Sequence, residues 1–365
     1  MKIGSALCLL ALLLVACGGQ TDRAARARVA AQDQAINVAE RAVRTAPERA
    51  VALFGAIADD PRYADKDRLM ARYRLGELAL TKGDLPAATT HFAHVAASSH
   101  PERASLGAYR LARLQLDEQA DYEGGRQALV EVARTRPDTL GAVQAIKALA
   151  RTRPDDREHA QWVVEALAGL AAAGGAIAPA ATWWKAQLEA QQLEDTFAAE
   201  RTLRGLVDRH PAHPRVGAAL WTLGALLSAR GDWAQAAGVY DELSQVEPER
   251  GWFIGSNRER RVDDAILMSG RIHLYRLNDA PQAILRFERM LDEFPEGILA
   301  DDAAYEIARA HAAVGEIDSA RAALETLIET YSHSRYVDDA HAILGGAPWP
   351  RGAPRGFDSE DESRP

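Results

Sequence analysis

Reactive side chains are sparse in this 365-residue chain, and few stand at the spacings that chemistry needs. His91 and His94 are three apart, so one helix face could offer both to a metal, yet no third ligand stands near them in sequence. An exposed helix face accounts for them, and His210 and His213, around Pro211, read as a polar hairpin end. The Asp pairs Asp59-Asp60, Asp155-Asp156, Asp263-Asp264, Asp301-Asp302 and Asp338-Asp339 fall mostly where helices should start. There a carboxylate favours the positive end of the helix dipole. The chain has no His-Glu-x-x-His, no Gly-x-Ser-x-Gly elbow and no Gly-rich phosphate loop before a Lys. No catalytic residue, metal centre or cofactor is therefore expected, and the chain reads as a non-enzyme.

The two cysteines, Cys8 and Cys17, stand at the N-terminus, which leaves the body no disulfide framework or thiolate site. Lys2 precedes an apolar run from Leu7 to Ala16 that is too short to span a bilayer. Leu14-Val15-Ala16-Cys17 then resembles the lipobox of bacterial lipoproteins. The resemblance implies a signal peptide over 1–16, cleavage before Cys17, and a diacylglycerol with palmitate-type acyl chains on that thiol. Several chains on one residue make a stable anchor. Gly18 stands where the family places an Asp in inner-membrane proteins, so the periplasmic face of the outer membrane is the implied address. Residues 17–30 read as a short lipidated linker with a flexible reach of about 20 Å. Arg23, Arg26 and Arg28 either meet lipid phosphates or begin a solvated helix. The net charge is −9, and −10 without Lys2, which argues against non-specific nucleic-acid binding.

Apolar residues make up 47% of the chain, dominated by Ala and Leu without alternating Val/Ile runs, which favours an all-α fold. Residues 217–250 show the unit. Leu220, Leu223, Gly224 and Leu227 share one helix face, Gly231-Asp232 breaks it, and Trp233, Ala236, Tyr240 and Leu243 form a second face that ends by Pro248. Gly224 and Ala236 keep the two helices close. This hairpin resembles a tetratricopeptide repeat (TPR). The small residue recurs as Ala50, Ala88, Gly125, Ala199, Ala236, Ala283 and Ala320, at intervals of 38, 37, 74, 37, 47 and 37. The double interval hides one degenerate hairpin. The expectation is a right-handed superhelix of about eight TPR-like hairpins over 31–345, near 31–64, 69–102, 105–138, 141–174, 180–213, 217–250, 264–297 and 301–334. Val337 to Leu344 would cap it. Residues 346–365, with Pro-Trp-Pro and an acidic run, read as a disordered tail.

The resemblance implies that the fifth position of each first helix faces a groove: Tyr73, Tyr109, Trp184, Trp221, Met268 and Tyr305. These residues either bind a partner or pack between repeats. The long interval after Ala236 carries Trp252, Phe253 and Ile254 beside Arg258, Arg260 and Arg261, a loop that either plugs the array or meets a partner. The stretch from Asp264 to Tyr305 is similar to envelope TPR proteins of the barrel-assembly-lipoprotein and CpoB type. That likeness implies a non-catalytic, lipid-anchored scaffold binding envelope proteins or peptides. The alternative is a helical accessory domain of a cell-wall or proteolytic enzyme system.

Overall fold

The structure, a computed structural model, describes residues 4–117, 121–152, 156–246 and 259–354, with side chains described from residue 25 onward except at 259 and 260. Among the described residues there are seventeen α-helices and no strand. The chain divides into two compact units, 1–153 with 172–178, and 154–171 with 179–365.

The first unit contains α1 (Gly4–Thr45), α2 (Pro47–Asp59), α3 (Asp65–Thr81), α4 (Leu85–Ala96), α5 (Pro101–Asp117), α6 (Tyr122–Thr135) and α7 (Leu140–Arg151). Consecutive helices pack as neighbours, and α7 also packs on α5. Where a linker is expected over 17–30, α1 runs on as helix. Ala and Arg, strong helix formers, dominate residues 23–31, and no Pro interrupts them.

The second unit contains α8 (Arg157–Ala173) up to its last two residues, α9 (Ala178–Gln191), α10 (Thr196–Arg209), α11 (Val216–Arg230), α12 (Trp233–Leu243), α13 (Glu259–Tyr275), α14 (Ala280–Glu293), α15 (Ala300–Ala313), α16 (Ile317–Thr330) and α17 (Val337–Leu344). The hairpins expected at 69–102, 105–138, 180–213, 217–250, 264–297 and 301–334 each correspond to one helix pair. The expected hairpin at 141–174 is shared out, α7 to the first unit and most of α8 to the second.

Aspartates open several second helices. Asp84, Asp121, Asp195 and Asp279 accept from the backbone N–H of Ala87, Gly124, Ala198 and Gln282 at 2.8–3.2 Å. The Asp pairs do not all cap: Asp59-Asp60 ends α2, and Asp263-Asp264 lies inside α13.

Within the hairpins, a glycine receives an aromatic ring. A Cβ on Gly76 would stand 2.7 Å from the Phe92 ring, one on Gly224 2.7 Å from Tyr240, and one on Gly270 2.4 Å from Phe287. All three rings are buried. Hydrogen is the largest group that these positions accept without moving the ring. Gly224→Ala should therefore destabilise the protein by about 1–3 kcal/mol through overpacking. Gly224→Ala with Tyr240→Leu should lose less than the two single changes summed, because they share one contact. Additive losses in urea unfolding would contradict this packing.

Candidate functional site

Counting back from the small residues locates the face that the expected ladder should line. Gly76, Gly224 and Ala308 precede Ala88, Ala236 and Ala320 by twelve residues, whereas Ala186 and Gly270 precede Ala199 and Ala283 by thirteen. The extra residue lies in a widened last turn. The N–H groups of Leu193 and Leu277 reach back five residues to the carbonyls of Leu188 and Ile272, at 3.0 and 3.1 Å. Glu194 and Asn278 then take the left-handed backbone place, φ 56° and 54°, that Gly83, Gly231 and Gly315 hold in the other turns. The residues three before the small one are therefore Tyr73, Tyr109, Trp183, Trp221, Leu267 and Tyr305. Trp184 and Met268 lie one residue further on.

These rings pack inside their own units. Tyr73 meets Phe92 edge-on at 5.5 Å and Trp221 meets Tyr240 edge-on at 5.4 Å. Tyr305, only 4% exposed, stacks on Tyr336 at 4.3 Å. Tyr109 is half-buried beside the Arg110 guanidinium, and Trp184 is half-buried. Trp183 and Met268 pack against the cluster built on Leu220, Leu223 and Tyr240. Of the expected loop residues, Trp252, Phe253, Ile254 and Arg258 lie outside the described residues, as does the side chain of Arg260. Arg261, half-buried, has its pKa lowered by burial, partly offset by Asp264.

The first helices also carry a polar ladder. In the first unit, Arg74 of α3 binds Glu40 of α1 at 2.9 Å and Glu77 at 2.7 Å. Arg110 of α5 joins Glu77 and donates to the Tyr73 hydroxyl at 2.8 Å. The second unit makes a tighter version. Arg271 of α13 donates to Asp302 at 2.8 Å and Glu306 at 3.0 Å, both on α15. Tyr275 donates to the other Glu306 oxygen, whose carboxylate also lies 3.8 Å from Arg309. Arg309 in turn stands over the Tyr275 ring at 4.9 Å. Asp302 further accepts from Arg335 and Tyr336, each at 2.7 Å. Arg271, Asp302, Glu306 and Arg309 are all less than one-tenth exposed.

Burial opposes the Arg271 cation, but Glu306 and Asp302 outweigh it and its pKa is raised. Burial, reinforced by Glu306, pushes the Tyr275 hydroxyl far up, so it stays a hydrogen-bond donor. Tyr336 is raised by burial and by Asp302. The cluster thus gathers the Arg271 and Arg309 cations and the Asp302 and Glu306 carboxyl groups in one buried, mutually bonded group.

One ligand-like group is present. Residues 346–354, part of the expected tail, lie against the second unit, while 355–365 lie outside the described residues. The Arg309 guanidinium donates to the backbone carbonyls of Pro350 (3.4 Å) and Gly352. Trp349 packs against the cluster of Tyr305, Leu324 and Ile343, and Ala353 against the cluster of Leu220, Tyr240 and Ile272. This main-chain clamp was not anticipated from the sequence. The Trp of Pro348-Trp349-Pro350, an aromatic in an otherwise polar end, is the signal that could have shown it.

Residues 274–344 match the tetratricopeptide repeat family. No curated protein matches the sequence. Among solved structures, a Rap protein complexed with competence and sporulation factor is 13% identical, with 78% of this chain and 80% of that one covered and a TM-score of 0.35. BtubC from P. vanneervenii is 14% identical, covering 70% and 97%, TM-score 0.34. Pseudomonas aeruginosa pilF is 14% identical, covering 77% and 99%, TM-score 0.29.

Glu306→Gln keeps the side-chain shape but removes the charge that Arg271 and Arg309 face. Breaking a buried pair in this way should cost about 3–5 kcal/mol. Glu131→Gln, at an exposed pair with Arg134, should leave the melting temperature nearly unchanged, because solvent screens such a pair. Equal losses for the two variants in thermal unfolding would contradict the central place of Glu306.

Proposed function

We propose that this chain, a tetratricopeptide-repeat protein over residues 274–344, is a non-catalytic, lipid-anchored scaffold that binds extended protein segments in a bacterial envelope. The repeats suggest protein–protein interaction. The observation that carries the binding half is the Arg309 clamp on the Pro350 and Gly352 carbonyls. Main-chain carbonyls are common to every protein partner, and a charged donor to them makes a stronger bond than a neutral one. The half-buried first-helix side chains of Trp183, Trp221 and Met268 border the apolar cluster that Ala353 packs on, and the two indoles offer amphipathic surface around it.

The address rests on Leu14-Val15-Ala16-Cys17. With acyl chains on Cys17, the repeats would face the periplasm from the outer membrane, within reach of envelope assemblies. Trp252 to Arg261 would add a second contact, basic and aromatic in an otherwise acidic protein.

In a bacterial host, Cys17→Ala should abolish incorporation of a fatty-acid analogue and move the protein from the membrane fraction to the soluble one, or leave an uncleaved precursor. Label retained on the variant would overturn the lipid anchor and, with it, the envelope address.

A further inference from the structure

The chain reverses at the end of α17 in a defined way. Gly346 takes φ 102°, the Ala347 N–H reaches the Ala342 carbonyl at 2.9 Å, and the Gly346 N–H reaches Ile343 at 3.0 Å. This is a glycine-closed helix end with a six-to-one bond. It sends residues 347–354 back along α15 towards the cluster of α11 to α13 instead of on into solvent. Trp349 and Ala353 are half-buried, while Pro350, Arg351 and Gly352 stay exposed between them. In that exposed stretch the Pro350 and Gly352 carbonyls are held, both by Arg309. Gly352 has φ 77°, and its Cβ position is open space, so the glycine serves the backbone conformation and not a close approach.

We propose that residues 347–354 are a built-in ligand of the α11–α13–α15 face, seated where an extended, proline-containing segment of a partner protein binds. The matching segment carries an aromatic residue, a carbonyl one residue after it, a second carbonyl two residues further, and a small residue next. This deepens the reading of that face as a partner-binding surface, and it needs no knowledge of the partner. The self-segment is held by one aromatic, one small residue and one cation, too little to be permanent. Its tether to α17 nonetheless gives it an effective concentration on the order of millimolar. A partner must therefore outcompete it, and free protein presents a closed site.

Fluorescence anisotropy with a labelled peptide, Ala-Pro-Trp-Pro-Arg-Gly-Ala-Pro, tests this on the full chain. Two variants release the self-segment by separate routes. Trp349→Ala removes its anchor. Gly352→Val forbids its backbone conformation at a position where an added Cβ meets nothing within 4 Å. Both should bind the peptide at least tenfold more tightly than the unaltered protein. Adding Arg309→Met to either should reverse the gain, with Arg309→Lys as a second replacement should the Met variant unfold by circular dichroism. A peptide carrying Ala for Trp should bind at least tenfold more weakly. Equal binding by released and unaltered protein, no binding to folded released protein, or indifference to Arg309 would each overturn the proposal. Failure of lipidation at Cys17 would leave all of these results unchanged, so the two readings fail separately.

Discussion

Glu306 is 1% exposed, and a carboxylate so far removed from water costs several kcal/mol unless its oxygens are fully engaged. Arg271 takes one oxygen, and Tyr275 takes the other, with Arg309 alongside. The rest of the second unit's first-helix face follows from that demand. Arg271 must lie flat between α13 and α15, which brings Asp302 to its other side. Asp302 then collects Arg335 and Tyr336 and ties the approach to α17 into the same network. Arg309, braced by Glu306 and the Tyr275 ring, keeps donors to spare, and these meet the Pro350 and Gly352 carbonyls. A hydrophobic cluster of the same volume would pack α13 on α15 but would leave nothing to hold a passing backbone.

Much of the architecture was legible because it rests on local rules. Gly231 stops one helix by its left-handed backbone, while Asp84, Asp121, Asp195 and Asp279 start others by capping; Asp232 opens its helix without a side-chain cap, its carboxylate held by Arg230 instead. The recurrence of Ala88, Ala199, Ala236, Ala283 and Ala320 marks helix crossings that only small residues permit. The site was less legible. A strict count from the hairpin starts selects Trp184 and Met268, whereas the widened turns before Glu194 and Asn278 move the equivalent positions to Trp183 and Leu267. One residue on a helix is a rotation of about 100°, enough to exchange a groove residue for a core one. Neither Glu194 nor Asn278 is a glycine, so the usual sign of a left-handed turn was missing there.

The end of the chain shows a different limit. Composition reads residues 346–365 as too polar to build a core, yet residues 347–354 need no core of their own. They borrow one, through Trp349 and Ala353, from helices that are already folded. Average polarity hides a single anchoring ring. The same holds for the charges: Arg271, Asp302 and Glu306 look like surface residues in the sequence, and their burial depends on meeting across two helices some 31–35 residues apart.

The account stands or falls on whether Arg309 holds residues 347–354 against the second unit in solution. Spin labels at Arg351→Cys and Ala229→Cys, both exposed positions of that unit, read this directly in a chain whose Cys8 and Cys17 are replaced by Ala. Double electron–electron resonance should give one narrow distance distribution that broadens when Arg309→Met is added. A distribution that is broad from the outset and unmoved by loss of Arg309 would contradict it.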